Sequence, residues 1–266
     1  MHILLATDGS ADGNAGAELL CQHHAGPYDR VTIAVVTPSL QLPEADLRLP
    51  PGETADHDRV AEAIASETAQ RLEEAGYRVT VSLLHGDPAE EIIRLAETTN
   101  ADLLVLGQKG IGALRRLLIG SVAATVGRRS AVPVLLARTP AAFSRTLVVS
   151  DNTPVSQRAA EVVLEIPAAS IDHVAFLLIN RAGDEGDSIA SAFQAAATTL
   201  EDAGIDVRML EATGNEVEVA LETAENEHAT LIVVAASDAL VDDEPLLGTT
   251  AHGLLERAPC SILIAR

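Results

Sequence analysis

Apolar runs of strand length alternate with segments of helical period from one end of the 266-residue chain to the other. Runs such as Leu103 to Leu106 and Leu231 to Ala236 are apolar throughout, as in strands covered on both faces. Between such runs, apolar residues recur three and four positions apart, as on one face of a helix. In the first half the pattern predicts strands at about 2–7, 31–37, 78–84, 102–107 and 133–138, with helices at about 13–24, 55–75, 88–99 and 120–130. In the second half it predicts strands near 146–150, 172–179, 205–211, 230–236 and 260–265, with helices near 154–165, 187–203, 215–228 and 248–258. The alternation is that of βαβ units, so the expected class is α/β with parallel sheets flanked by helices.

The halves are copies. Glu74-Ala75-Gly76 matches Asp202-Ala203-Gly204, Gly86 matches Gly214, and Leu135-Leu136-Ala137-Arg138 matches Leu263-Ile264-Ala265-Arg266, all at an offset of 128 residues. The first strands align at 143 instead, with Ala6-Thr7-Asp8 over Val149-Ser150-Asp151, so the copy is shorter by 15 residues (143 − 128). The deficit falls where the first half carries a proline-rich loop containing Pro38, Pro43, Pro50 and Pro51. Thr139 to Arg145 is a short linker, and two domains are expected, at 1–138 and 146–266, packed together rather than moving freely.

One spacing carries chemistry: Gly107-x2-Gly110-x9-Gly120-Ser121. A phosphate wants several backbone N–H groups converging on it, which requires glycines where a side chain would block close approach. A glycine and a hydroxyl residue at the start of a helix add free amides at the positive end of its dipole. The chain's single lysine, Lys109, lies in this loop, and Arg115 and Arg116 follow. The copy reads Ala235-x2-Asp238-x9-Gly248-Thr249, with Ser237 for Lys109, Asp243 for Arg115 and Glu244 for Arg116. It inverts the charge of the loop, so the second half is expected to have lost the phosphate site.

The net charge is −21, with 17 arginines against one lysine and 2% aromatics. Such a surface repels nucleic acid and anionic membranes, and it suits solvation in a salt-rich cytoplasm, as in a halophile. Residues 139–266 hold 21 acids and 6 bases, a balance of −15, against 18 acids and 12 bases, or −6, in residues 1–138. Met1 to Ala6 runs straight into a polar turn, so no signal peptide is expected, and no apolar run is long enough to span a bilayer. Cys21 and Cys260 lie in different halves without CxxC spacing and read as apolar packing residues; the eight histidines show no metal-ligand spacing, so no structural metal is expected.

Three local features together resemble the universal stress protein family in its tandem form: Ala6-Thr7-Asp8-Gly9-Ser10 at the end of the first strand, the turn Gly86-Asp87-Pro88-Ala89-Glu90-Glu91-Ile92, and the glycine motif followed by Ser121-Val122. The resemblance covers both halves. It implies two Rossmann-like domains, each a five-stranded parallel sheet ordered 3-2-1-4-5, with an adenine nucleotide at the carboxyl ends of strands one and four. Ala6, Thr7 and Asp8 would face the adenosine, and Val36 would join the adenine contact. Gly107, Gly110, Gly120, Ser121 and Val122 would line the ribose and phosphates, with Gln108 and Lys109 at the mouth. The ligand would be ATP, ADP or AMP, with Mg²⁺. The family also dimerises through the final strand, so 133–138 and 260–266 are expected to pair within the chain as a pseudo-dimer; further homo-oligomers are compatible with that.

The same residues admit plainer roles. Asp8 and Ser10 suit a turn that starts the first helix, the glycines suit ordinary βα turns, and Lys109, Arg115 and Arg116 suit a solvated surface. No nucleophile–base pair and no GxxxxGK[ST] loop is present, so ATP hydrolysis is expected to be slow and incidental at most. The SGGxDS and HxGH signatures of adenylyl transfer are absent. The leading expectation is a cytoplasmic stress protein that senses or stores a nucleotide state. The alternative is a regulatory scaffold that works through protein contacts without a nucleotide.

Overall fold

The structure is a computed structural model that describes residues 1–23, 25–26, 28–37, 53–108, 119–138, 143–151, 154–166, 170–180, 187–237, 240–241, 244–245 and 247–266, with the backbone alone described at 53–56, 187–190, 240–241 and 244–245. The proline-rich loop, Lys109, Gly110, Arg115, Arg116, Asp238 and Asp243 lie outside the described residues.

The first half runs β1 (His2–Ala6), α1 (Ala15–Gln22), β2 (Arg30–Thr37), α2 (Glu53–Glu74), β3 (Arg78–His85), α3 (Pro88–Thr98), β4 (Leu103–Gly107), α4 (Ser121–Arg129) and β5 (Val134–Ala137). The second half runs β6 (Arg145–Ser150), a 3₁₀ turn at Pro154–Ser156, α5 (Gln157–Glu165), β7 (His173–Asn180), α6 (Asp187–Asp202), β8 (Asp206–Thr213), α7 (Glu216–Asn226), β9 (Leu231–Ala235), a ribbon of β10 (Leu240–Val241) and β11 (Glu244–Pro245), α8 (Thr249–Arg257) and β12 (Ser261–Ala265). The expected elements are present with ends shifted by a few residues. The β10–β11 ribbon is additional, because two-residue strands leave no period to read.

Local chemistry explains the repeated turns. Asp87 caps α3 by accepting hydrogen bonds from the N–H groups of Ala89 (3.0 Å) and Glu90 (3.1 Å), with Pro88 in the first turn. Asn215 caps α7 in the same place through the N–H of Glu218. Helices α2 and α6 both end on a glycine with positive φ, Gly76 (+94°) and Gly204 (+84°), after which Tyr77 and Ile205 donate back to Leu72 and Leu200.

All ten long strands form one sheet in the order β3-β2-β1-β4-β5-β12-β9-β6-β7-β8. Each half therefore has the 3-2-1-4-5 order, and the halves join through an antiparallel pairing of β5 with β12. Leu135 sits opposite Leu263, its own copy, so a pseudo-two-fold axis passes between them. Side chains alternate across the sheet into two cores. Ile3, Leu5, Val31 and Ile33, with Val148, Val174 and Phe176 of the second half, pack under α1, α2, α5 and α6, while Leu4, Ala6, Leu104 and Leu106 pack with α3, α4, α7 and α8. Further bonds cross the seam. Arg138 donates to the carbonyl of Ala258, and its copy Arg266 donates to those of Gly127 and Arg128 at 2.8 Å. Burial lowers the Arg266 pKa to about 10.

Candidate functional site

Strands β1 and β4 are neighbours, with Ala6 opposite Leu106. Beyond that pair the two chains part: the N–H of Thr7 donates to Ala34 of β2, whereas that of Gln108 donates to Ala137 of β5. The divergence marks the switch in strand order, the place where open α/β sheets hold ligands in a crevice at their carboxyl end.

One wall is the loop from Asp8 to Asn14. Asp8 Oδ1 accepts from the N–H (3.0 Å) and the hydroxyl (2.6 Å) of Ser10, and Ser10 Oγ accepts from the N–H of Gly13 (2.9 Å). Thr7 Oγ1 donates to Asn14 Oδ1 at 2.9 Å. The turn role open to Asp8 and Ser10 is therefore present, and Asp8 is half-buried just beyond the end of β1.

The opposite wall is the start of α4. The N–H of Gly120 donates to the carbonyl of Gln108 at 2.8 Å, which ties the helix to the end of β4. Gly120 caps the helix without any side-chain hydrogen bond, Ser121 is exposed and Val122 half-buried. Its first-turn amides carry the positive end of the helix dipole. Val36, half-buried near the end of β2, packs on the same side of the sheet as Ala6.

Two residues differ from the expectation drawn from the sequence. Gly107 would place a Cβ 2.1 Å from the carbonyl oxygen of Asp12 and 2.7 Å from Cα of Gly13, so its bare side is filled by the chain's own first loop rather than held open for a phosphate. Gln108 is not at a mouth. It continues the alternation of Leu104 and Leu106, it is only 2% exposed, and neither amide atom has a hydrogen-bond partner among the described residues. Gly13 and Asn14 are parts of the site that the motif did not mark, although Asp12-Gly13-Asn14 is a turn-forming string.

The second half builds its crevice differently. Asp151, the copy of Asp8, accepts from Ser156 Oγ (2.7 Å) and from Thr250 Oγ1 (3.2 Å), so its carboxylate is docked on the first turn of α8. Val122 stands in the first half where Thr250 stands here, and Ala236 takes the place of Gln108. Between β9 and α8 stand the paired strands β10 and β11, and the N–H of Ser237 donates to Leu247 at 3.2 Å.

Elsewhere, burial pushes the Cys260 thiol up to about 11, and Cys21 is also raised by burial, in keeping with packing rather than reactive roles. Among the described residues no group of three His, Cys, Asp or Glu side chains could hold a metal ion, and no helix is long and apolar enough to cross a membrane.

Both halves match the universal stress protein family, over residues 1–138 and 142–266. The chain belongs to that family, as a tandem. It is 32% identical over 127 residues to the universal stress protein Slr1230 of Synechocystis, a match covering 48% of this chain and 40% of that protein. It is 43% identical over 68 residues to the universal stress protein MJ0531 of Methanocaldococcus jannaschii, covering 26% and 40%. The matched segments thus span about two fifths of the length of each relative. The crystal structure of a universal stress protein from Archaeoglobus fulgidus has the same fold, with a TM-score of 0.76 over 100% of this chain and 98% of that one at 24% identity.

Proposed function

We propose that the first half of this universal stress protein binds an adenine nucleotide, ATP with Mg²⁺ or else ADP or AMP, and that the second half serves as its folded partner without a nucleotide. The contrast between α4 and α8 carries the reading. At α4 the helix start is capped by glycine backbone alone, and Asp8 is turned into the Ser10 loop. At α8 the equivalent carboxylate is bonded to Thr250, where it would repel a phosphate.

Gln108 fits the same reading. A primary amide offers one acceptor and two donors, which matches the hydrogen-bonding edge of a base or ribose, whereas the second half has Ala236 there. Ala6, Thr7, Asp8 and Val36 would surround the adenosine, with Gly110, Gly120, Ser121, Val122 and Lys109 around the ribose and phosphates. Mg²⁺ would be held chiefly by the phosphates, in the manner common for this ion. With no nucleophile–base pair among the residues described at the crevice, we read the role as regulatory or sensing, in a salt-rich cytoplasm, with at most slow incidental hydrolysis.

Photolabelling with 8-azido-ATP followed by peptide mapping tests this directly. Label is expected in first-half peptides around the ends of β1 and β4. Label confined to the second half would contradict the assignment, and no saturable label in either half would favour the scaffold that works through protein contacts.

A further inference from the structure

Helix α4 offers its first turn to the nucleotide crevice, but its last turn is held by the other half of the chain. The N–H of Ser130 returns to the carbonyl of Val126, so the carbonyls of Gly127 and Arg128 lie past the helix's own donors. Arg266, directly after β12, supplies them: its Nη2 donates to both, at 2.8 Å each. Burial first, and the like charge of Arg158 second, oppose a cation at this place. The negative end of the helix favours it.

Packing joins α4 to the second half at the same turn. A Cβ on Gly127 would stand 3.3 Å from Ile264 Cδ1 and 3.5 Å from Leu255 Cδ2. Leu255 is the copy of Gly127, so a leucine of one half fills the space beside the glycine of the other. Arg138, the copy of Arg266, makes the reciprocal contact with the carbonyl of Ala258, the C-cap of α8. The two contacts are alike in form, but the helices they hold begin differently. The first turn of α8 is docked on Asp151 through Thr250, whereas α4 begins at Gly120, whose cap is backbone alone.

We propose that Arg266 is a positioning residue of the nucleotide site, through which the second half sets the place of α4 and so the affinity for phosphate at its first turn. The inference rests on the reading that a nucleotide binds there. Helix α4 is nine residues long, about 13 Å, so a hold on its last turn fixes where its first-turn amides stand. Such coupling is reciprocal: a bound nucleotide tightens the Arg266 contact by the same factor. The second half thereby senses whether the first is occupied.

The test is calorimetric titration of ATP with Mg²⁺ into the full chain and into Arg266→Gln, Arg266→Lys and Arg138→Gln, each first checked for cooperative urea unfolding. Arg266→Gln is expected to weaken ATP binding about fivefold, the low end of such couplings. Arg266→Lys keeps a cation at the helix end and is expected to recover most of that loss. Arg138→Gln, which removes the reciprocal contact, is expected to lower the urea midpoint to a similar extent and to leave ATP affinity unchanged. ATP bound equally by the parent chain and Arg266→Gln, an equal loss in Arg138→Gln, or a lysine variant no better than the glutamine one would overturn the positioning role alone. A parent chain that binds no adenine nucleotide would overturn the reading of the site, and the positioning role with it.

Discussion

Asp151 Oδ2 accepts a 3.2 Å hydrogen bond from Thr250 Oγ1, a bond that joins the end of the first strand of the second half to the first turn of its last helix. The first half cannot make it, because Val122 occupies the equivalent position. Thr250→Val is expected to lower stability by about 1 kcal/mol, or roughly 2–4 °C in Tm for a chain of this size. The reciprocal Val122→Thr gives Asp8 the same partner and is expected to weaken ATP binding several-fold. Unchanged affinity in Val122→Thr would break the link between this contact and the difference between the halves.

Gln108 buries a donor and an acceptor with no hydrogen-bond partner among the described residues, an arrangement that costs about 1–3 kcal/mol. Methionine fills similar space without those groups. Gln108→Met is therefore expected to raise the stability of the nucleotide-free protein by about 1 kcal/mol, read by urea unfolding, while reducing ATP affinity. A variant that is less stable and binds ATP normally would assign Gln108 a packing role alone.

His23 of the first half stacks on Phe143 of the linker, with ring centroids 4.5 Å apart, and its Nδ1 lies 2.7 Å from Ser170 Oγ of the second half. Burial lowers its pKa below the ordinary 6.5. The unfolded ring takes up its proton near pH 6.5 and the folded ring only at lower pH, so the unfolded state binds more protons in between. Its effect on stability is therefore absent above that pH and grows unfavourable as the pH falls through the folded value. His23→Phe keeps a ring against Phe143 and cannot titrate. Urea unfolding between pH 7.5 and 5.5 should show the parent chain losing stability relative to this variant as the pH drops; a constant difference would contradict the assignment.

Much of this arrangement was legible in the sequence. Buried strands and amphipathic helices gave their periods, and the offsets of 128 and 143 foretold the equivalences that the strand register bears out at Ile3 and Thr146. The seam was implied by the resemblance to the family, and the pairing of Leu135 with Leu263 forms it. What could not be read was the cause behind single residues. Gly107 looked like a phosphate residue, yet the backbone of Asp12 and Gly13 occupies its bare side. Gln108 followed a glycine and looked like loop, but one more bond to β5 extends the strand pattern and turns it inward. The Thr250 contact joins residues 99 apart in sequence, and such pairings come from tertiary packing, not local pattern.

The central claim, one nucleotide site in the first half, is tested most directly by calorimetric titration of ATP with Mg²⁺ into the full chain in molar KCl. The account predicts about one bound nucleotide per chain, lost in Gly110→Asp, the substitution that gives the first half the residue found at 238. Two sites of comparable affinity, or a single site unaffected by Gly110→Asp, would contradict it.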